Sequence, residues 1–250
     1  MSILPNKTSI IIPISNHNNP SCHYLGNCLG SIKEHTDPEK TPYEILVIDN
    51  GSTIELGGWK WEEIGVGYVK WEENRGVSKA WNYGIKNTDG EFVAILNSDI
   101  MVFDHWLEDL QEALNHVQAV VGYPMYDCPW GRAQEANQRR EKWVNEPADH
   151  YLDNFEDFCC VLTTRKIFDE IGLFDENFFA YKEDLDWKYK LREKGYSIKA
   201  DKRVNIHHIS GATAVEAINR FPGGRVGWLE AQKQAGEYLK EKWRFDEYNQ

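Results

Sequence analysis

The chain has 250 residues, with 28 Lys and Arg against 40 Asp and Glu, giving a formal net charge of −12. That balance excludes a general polyanion binder, which needs a cationic excess on some face to displace phosphate counterions, so no nucleic acid is expected as a partner. Hydrophobic residues at 41% and aromatics at 13% support a sizeable core and exclude a wholly disordered chain.

Ten Trp is a rich complement, and several are expected to line pockets or grooves where the indole N–H meets a polar group. No apolar run approaches the roughly 18 residues of a membrane-spanning helix. Residues 1–8 are polar and lead into a strand, not into a signal-peptide core. The five cysteines (22, 28, 128, 159 and 160) lack metal-type spacing and read as reduced thiols. A cytoplasmic protein without an integral membrane segment is expected, with peripheral membrane contact left open.

In chain order, residues 9–14 (SIIIPI) form a β-branched run typical of a strand buried on both faces. A helix is expected over 22–35, strands over 43–48 and 67–71, a helix over 76–86, and a strand over 91–96. A helix over 104–117 and a strand over 119–123 follow. Residues 124–157 show no clear period and read as a long excursion of the lid or binding-loop kind. Beyond it come a strand at 158–163, helices at 166–172 and 183–194, strands at 196–200 and 204–208, and a packed terminal helix at 228–243. Alternating strands and helices with near-continuous apolar strands predict an α/β fold: a Rossmann-like, mostly parallel central sheet flanked by helices. We expect one domain over 1–250, with a first half at 8–122, a smaller second subregion at 123–213 and a helical tail at 214–250.

Sheets of this kind bind ligands beyond the carboxyl ends of their strands. Asn97-Ser98-Asp99 ends one such strand. A carboxylate there suits a hard divalent cation that takes its other ligands from phosphate and water, though such residues also simply turn a chain. Asp49 closes another strand and either accepts from a base N–H or ribose hydroxyl or makes an Asx turn. Asn74-Arg75-Gly76 precedes a helix, where backbone N–H groups and an Arg suit a diphosphate; the alternative is an N-cap beside a solvated Arg.

Glu183, Asp184 and Asp186 lie beside Phe178, Phe179, Tyr181 and Trp187. Desolvation and like charge raise carboxyl pKa values there, which suits a general base for a hydroxyl. An acidic first turn facing the helix dipole is the plain alternative. His207-His208 offers imidazole to a metal or is a satisfied structural pair. Arg139-Arg140 reads as a solvated face, and Cys159 and Cys160 as packing residues on opposite sides of a strand.

Taken together, residues 9–14, Val47-Ile48-Asp49-Asn50-Gly51-Ser52, Asn74-Arg75-Gly76 with Ala80 and Asn82, Leu96-Asn97-Ser98-Asp99, Gly172-Leu173-Phe174-Asp175-Glu176 and Glu183-Asp184-Leu185-Asp186 resemble the family 2 glycosyltransferases of the GT-A fold. The likeness is nearest to the rhamnosyltransferase-like branch, with its LNxD and GxFDExFFxYxEDxDxxxR patterns, and runs over roughly residues 8–213. It implies an inverting transferase that moves a sugar from a UDP-, dTDP- or GDP-sugar to a glycan hydroxyl with Mn²⁺ or Mg²⁺. By that resemblance, Pro13, Ser15 and Asn16 lie along the nucleotide, and Asp49 meets the base or ribose. Asn74, Arg75, Asn82, Asn97 and Ser98 complete the nucleotide-sugar site. Asp99 and His208 serve the metal. Asp184 is the general base, with Glu183 the second choice.

Three positions depart from the family pattern: Asn97 stands where Asp is frequent, Lys190 where Arg is frequent, and Phe158-Cys159-Cys160 where small residues are usual. A nucleotidyltransferase would need a Gly-rich basic loop after strand one, and residues 15–20 (SNHNNP) contain neither Gly nor a basic residue. A non-catalytic sugar-binding protein on the same fold is the other alternative.

Overall fold

The structure, a computed structural model, describes residues 2–15, 19–54, 56, 59–125, 133–146, 150–153, 158–179, 181–209 and 223–244. Asn16 and Cys128 lie outside the described residues.

Among the described residues, nine strands form one sheet: β1 (Leu4–Ile14), β2 (Tyr43–Asn50), β3 (Gly67–Trp71), β4 (Gly90–Leu96), β5 (Ile100–Met101), β6 (Ala119–Met125), β7 (Tyr151–Leu152), β8 (Cys160–Thr164) and β9 (Ile198–His208). The order is β3-β2-β1-β4-β8-β6-β9-β5, with β7 on β9. Strands β3, β2, β1 and β4 are parallel, β8 runs antiparallel to β4 and β6, and β6 and β9 are parallel. Strand β8 is reversed between β4 and β6, β5 and β7 run antiparallel to β9, and the carboxyl ends of β1, β2, β3, β4, β6 and β9 lie on one edge of the sheet.

Helices cover both faces, and the strand period of two sorts the core accordingly. Ile10, Ile12, Ile14, Val47 and Leu96 pack with Leu25 and Ile32 of α1 (Asn19–Glu34) and with Trp106 and Leu110 of α3 (Trp106–Ala113). Ile11, Ile48, Val93 and Ile95 pack on the other face with Trp81 of α2 (Val77–Lys86), Phe168 of α5 (Arg165–Ile171) and Trp187 of α6 (Glu183–Glu193). Each fully buried side chain of this size is worth about 1.5–3 kcal/mol of apolar burial, which is why these strands read as continuous apolar runs.

Four local expectations are corrected. The two strands expected at 196–200 and 204–208 are one strand, β9, with a register shift against β6 opposite Gly122 and Tyr123. The excursion contains α4 (Ala133–Asn145) and β7. Helix α4 is polar and is anchored by polar contacts: Arg140 pairs in bidentate fashion with buried Asp109 at 2.6 and 2.9 Å, and the Ala136 carbonyl accepts from Asn205. Arg140 is therefore an anchor, not part of a solvated face. Cys159 precedes β8 in a bend, so it and Cys160 join the same core cluster with Cys28 in place of facing opposite sides; all three are buried free thiols. Helix α7 (Gly224–Trp243) closes the described chain.

Gly84 shows how closely α2 rests on the sheet. A Cβ there would lie 2.4 Å from Ile11 Cγ2 and within 3.0 Å of two further Ile11 carbons. Ile11 is completely buried and β-branched, so it has nowhere to move. Gly84→Ala is expected to destabilise by about 1–3 kcal/mol through overpacking. Gly30, also helical but with nothing within 4 Å of an added Cβ, gives the opposite sign: Gly30→Ala should stabilise by roughly 0.5–1 kcal/mol. Chemical denaturation of both variants checks the pair.

Candidate active site

The second strand ends in a tightly bonded loop. Asp49 is fully buried; its Oδ1 accepts from the Ser52 N–H at 2.8 Å, an Asx turn, and its Oδ2 accepts from the Tyr68 hydroxyl at 2.7 Å. Tyr68 stacks flat on Trp61, with ring centroids 4.4 Å apart. Each Asp49 oxygen retains one lone pair for a ligand. Gly51 has φ +78°, and a Cβ on it would fall 2.3 Å from the Asn74 backbone nitrogen, so the Asn74 loop crosses directly over it.

Asn50 then ties the edge together. Its amide N–H groups reach Asn74 Oδ1 (3.0 Å) and the Gly76 carbonyl (3.2 Å), and its Oδ1 accepts from the Arg75 N–H (2.8 Å). Asn74 Oδ1 also accepts from the Gly76 N–H, and Asn74 Nδ2 lies 3.5 Å from Ser15 Oγ at the end of β1. The first N–H of α2, that of Val77, donates to the Phe179 carbonyl at 3.0 Å. The backbone N–H groups of residues 75–77 are thus satisfied by protein. Of the backbone N–H groups at this helix start, these three are turned to protein acceptors. What faces outward is the Arg75 side chain, exposed and held 5.1 Å over the Trp71 ring.

Asn82 is buried in α2, where it donates to the Phe174 carbonyl and Glu176 Oε1 and accepts from the Phe174 N–H. Both amide hydrogens are spent on residues 174–176, so Asn82 tethers that loop to α2.

Beyond β4, the Asn97 N–H donates to the Cys159 carbonyl, and two-residue β5 pairs antiparallel with the end of β9, Ile100 opposite His208. This pairing brings positions far apart in the chain into one cluster. His208 Nε2 lies 3.4 Å from Asp99 Oδ1 and 3.4 Å from Asn97 Nδ2, and Ser98, Asp99 and His208 are all buried. Of the adjacent histidines, His208 is the one beside Asp99. Pro13, in β1 opposite Ile48, and half-buried Ser15 lie on the same edge.

Among the described residues, no group of three His, Cys, Asp or Glu side chains forms a metal cage. Asp99 and His208 offer one carboxylate and one imidazole. That set fits a divalent cation that takes its remaining ligands from a diphosphate and water, and the imidazole suits Mn²⁺ better than Mg²⁺.

The acidic segment enters α6 through a strained turn. Tyr181 and Lys182 both have positive φ, +69° and +75°, at a cost on the order of 1–3 kcal/mol each for side chains other than glycine. Glu183 is buried, its Oε2 has no partner among the described residues, and burial, with the Asp184 charge second, pushes its carboxyl up to about 8. Asp184 beside it is half-buried.

Asp186 is completely buried and belongs to the terminal helix. Its Oδ1 accepts from Trp243 Nε1 at 2.9 Å and meets Lys242 Nζ at 2.7 Å, while Lys190 lies 3.5 Å from Oδ2. Lys242 also binds Asp175 at 2.7 Å. Burial alone would raise the Asp175 carboxyl, but Lys242, the Asn177 N–H and the Tyr238 hydroxyl outweigh it and bring it to about 2. Sequence reasoning missed Asn50, Lys242 and Trp243. Asn50 carried a signal, standing between a strand-end acid and a glycine; the other two carried none, being more than 50 residues from their partners.

The family model described as glycosyl transferase family 2 matches residues 9–190. The chain belongs to that family. Relatives of this family 2 domain include glycosyltransferase AglE of Haloferax volcanii, 25% identical over 202 residues, covering 76% of this chain and 62% of the relative. The low-salt glycan biosynthesis hexosyltransferase Agl10 of the same organism is 24% identical, covering 66% and 58%. The chain therefore spans less than two thirds of these relatives. Among solved structures, GalNAc-T7 with UDP, GalNAc and Mn²⁺ superposes with a TM-score of 0.63 at 17% identity, covering 81% of this chain and 43% of that one. Staphylococcus aureus TarS (residues 1–349) gives 0.58 at 19%, covering 94% and 70%. At these identities the likeness is one of fold, that of the GT-A glycosyltransferases.

The raised carboxyl of Glu183 has a pH consequence. Between about 4.5 and 8 the folded chain holds a proton on Glu183 that the unfolded chain releases, so this group's contribution to stability falls as pH rises through that window and levels off above it. Glu183→Gln removes the effect. The variant should gain on the parent by an amount on the order of a few kcal/mol between pH 4.5 and 9, read as the difference in melting temperature across that range.

Proposed function

We propose that this chain transfers a hexose-type sugar from a nucleotide diphosphate sugar to a hydroxyl of a glycan, inverting the anomeric carbon. The observation that carries the reading is the meeting of Asp99 and His208 at the carboxyl edge of a family 2 sheet. One acid and one imidazole are what a cation shared with a diphosphate needs from a protein. Bound there, such a cation supplies positive charge to the departing diphosphate.

Inversion takes one displacement. The acceptor oxygen bonds to the anomeric carbon as the bond to the diphosphate oxygen breaks. The electron pair leaves with the diphosphate and the hydroxyl proton goes to a base. Of the two adjacent acids, Glu183 is buried and already protonated at neutral pH, so the base is Asp184. Arg75, its guanidinium free of backbone duties, meets the base or diphosphate. The remaining lone pairs of Asp49 accept from the base or ribose, while Pro13, Ser15 and Asn16 run along the nucleotide. Asn74 supports the Arg75 loop, and Asn97 and Ser98 face the sugar side of the cation.

Buried free thiols at Cys28, Cys159 and Cys160 favour a reducing compartment, the cytoplasm. Among the described residues no helix is long and apolar enough to cross a membrane. A membrane-borne acceptor would then be met peripherally.

The test is a panel of UDP-, dTDP- and GDP-sugars, rhamnosyl donors included, assayed for binding and turnover with Mn²⁺. Asp99→Ala should weaken donor binding at least about tenfold with Mn²⁺ and hardly at all in EDTA. Equal losses in the two buffers would remove the metal role. Asp184→Asn should lower turnover by roughly 10²–10⁴ with nucleotide affinity nearly intact. A loss confined to affinity would move Asp184 to the donor side. Sugar binding by the parent chain without turnover of any donor would make it a binding protein.

A further inference from the structure

Residues 177–179 and helix α7 enclose a cavity of about 350 Å³ at the acid-bearing end of the molecule. Its lining is notable for what it lacks. In a chain with 27% charged residues, no charged side chain lines it among the described residues. Aromatic faces come from Phe179, Trp228 and Tyr238, and amides from Asn177, Gln232 and Gln234. Ala231 and Ala235 lie between the two α7 aromatics and leave the space open. On α7 the half-buried positions 228, 231, 232, 235 and 238 recur at helical spacing, so one stripe of the helix faces the cavity.

The walls are fixed. The Tyr238 hydroxyl donates to Asp175 at 2.9 Å and accepts from Asn177 Nδ2, and Lys242 and Trp243 hold the far end of α7 to buried Asp186. Trp228 is steadied edge-on by Tyr181, with centroids 5.3 Å apart. Phe179 and Tyr181 remain 37% and 42% exposed, a high value for large aromatics in an ordered segment. The cavity shares a segment of chain with the candidate site. Phe179, whose carbonyl caps α2, is followed four residues later by Glu183 and five later by Asp184.

Aromatic faces with amide donors and acceptors, and no ions, match one ligand chemistry: an uncharged sugar ring, whose C–H face stacks on an aromatic while its hydroxyls pair with amides. We propose that the α7 cavity is an acceptor subsite for a neutral sugar unit of the glycan, held beside the unit whose hydroxyl Asp184 deprotonates. This rests on the transferase reading for its purpose, but binding at the cavity is measured without donor.

The probes are neutral tetrasaccharides (cellotetraose, maltotetraose and chitotetraose) and, as an acidic contrast, tetragalacturonate, titrated into the full chain by ligand-observed NMR. At least one neutral probe should bind and tetragalacturonate should not. Trp228→Ala should weaken that binding about tenfold, and Trp228→Phe should keep most of it. Ala235→Arg, which fills the cavity and leaves its aromatics in place, should also abolish it, and serves if Trp228→Ala fails to fold. Binding of UDP with Mn²⁺ should be unchanged in all three variants. No neutral probe binding, equal binding by Trp228→Ala and Ala235→Arg, or preference for the acidic probe each overturns the subsite. Neutral-probe binding that obeys these variants in a chain that turns over no donor would leave the subsite standing and bring down the transferase reading. Donor hydrolysis without binding of any neutral probe would do the reverse.

Discussion

A single buried amide, that of Asn50, joins three pieces of the carboxyl edge that chain order keeps apart. It fixes the end of β2, the Asn74-Arg75 loop and the start of α2, through three hydrogen bonds of 2.8–3.2 Å. Leaving any of those groups buried and unpaired costs about 1–3 kcal/mol, so the loop has one low-energy course. That course needs two places without a Cβ, Gly51 against the Asn74 backbone and Gly76 against the Phe179 carbonyl. Once Gly76 is placed, Val77 can donate to Phe179 O, and the segment leading to Glu183 and Asp184 is pinned to the start of α2.

The acidic turn is held from its other side by a cation. Lys242 bridges partly buried Asp175 and fully buried Asp186. A buried carboxylate is tolerated only with a close counter-charge and full hydrogen bonding; stripping away one partner typically costs about 3–5 kcal/mol. Glu183 has no such partner and instead stays protonated. Three acids in one turn therefore adopt three states: one paired, one neutral and one half-exposed. The helix dipole alone would treat them alike, because its effect spreads over the whole first turn. What separates them is burial and the reach of α7.

The sequence pattern revealed the sheet because strands buried on both faces must be apolar throughout, and Ser9–Ile14, Ile45–Ile48 and Val93–Leu96 meet that demand on alternating sides. It did not reveal α4, because that helix is fastened by Arg140 to Asp109 and by Asn205, not by an apolar stripe, so no period marks it. Strand-end chemistry singled out Asp49 and Asp99, and the fold places both at the carboxyl edge, at the end of β2 and just beyond β4. The choice of His208 over His207 came from the resemblance and not from the residue types, since it depends on the phase in which β9 meets β5. Asn82 and Asn50 show the deepest difficulty. An amide that binds a ligand and an amide that ties down a loop are the same letter, and only the partners tell them apart.

The two halves of the site are built from different physics. The carboxyl edge consists of parallel-strand ends and backbone hydrogen bonds, in which a displaced residue disturbs the core beneath it; Gly84 against Ile11 shows how little slack exists there. A cation, a diphosphate and a nucleoside present fixed geometry, and such an edge suits them. The opposite wall is α7, a largely polar helix joined to the rest by ion pairs, a few hydrogen bonds and aromatic edges. It starts at Gly224, beyond the stretch 9–190 that matches the family. On the reading proposed above, substitutions on its cavity face change the shape and chemistry offered to an acceptor without entering the sheet, so the strand ends that would hold the donor are left undisturbed. The strand ends up to β8 fall within the family match and this helix does not, so the two walls can be altered independently.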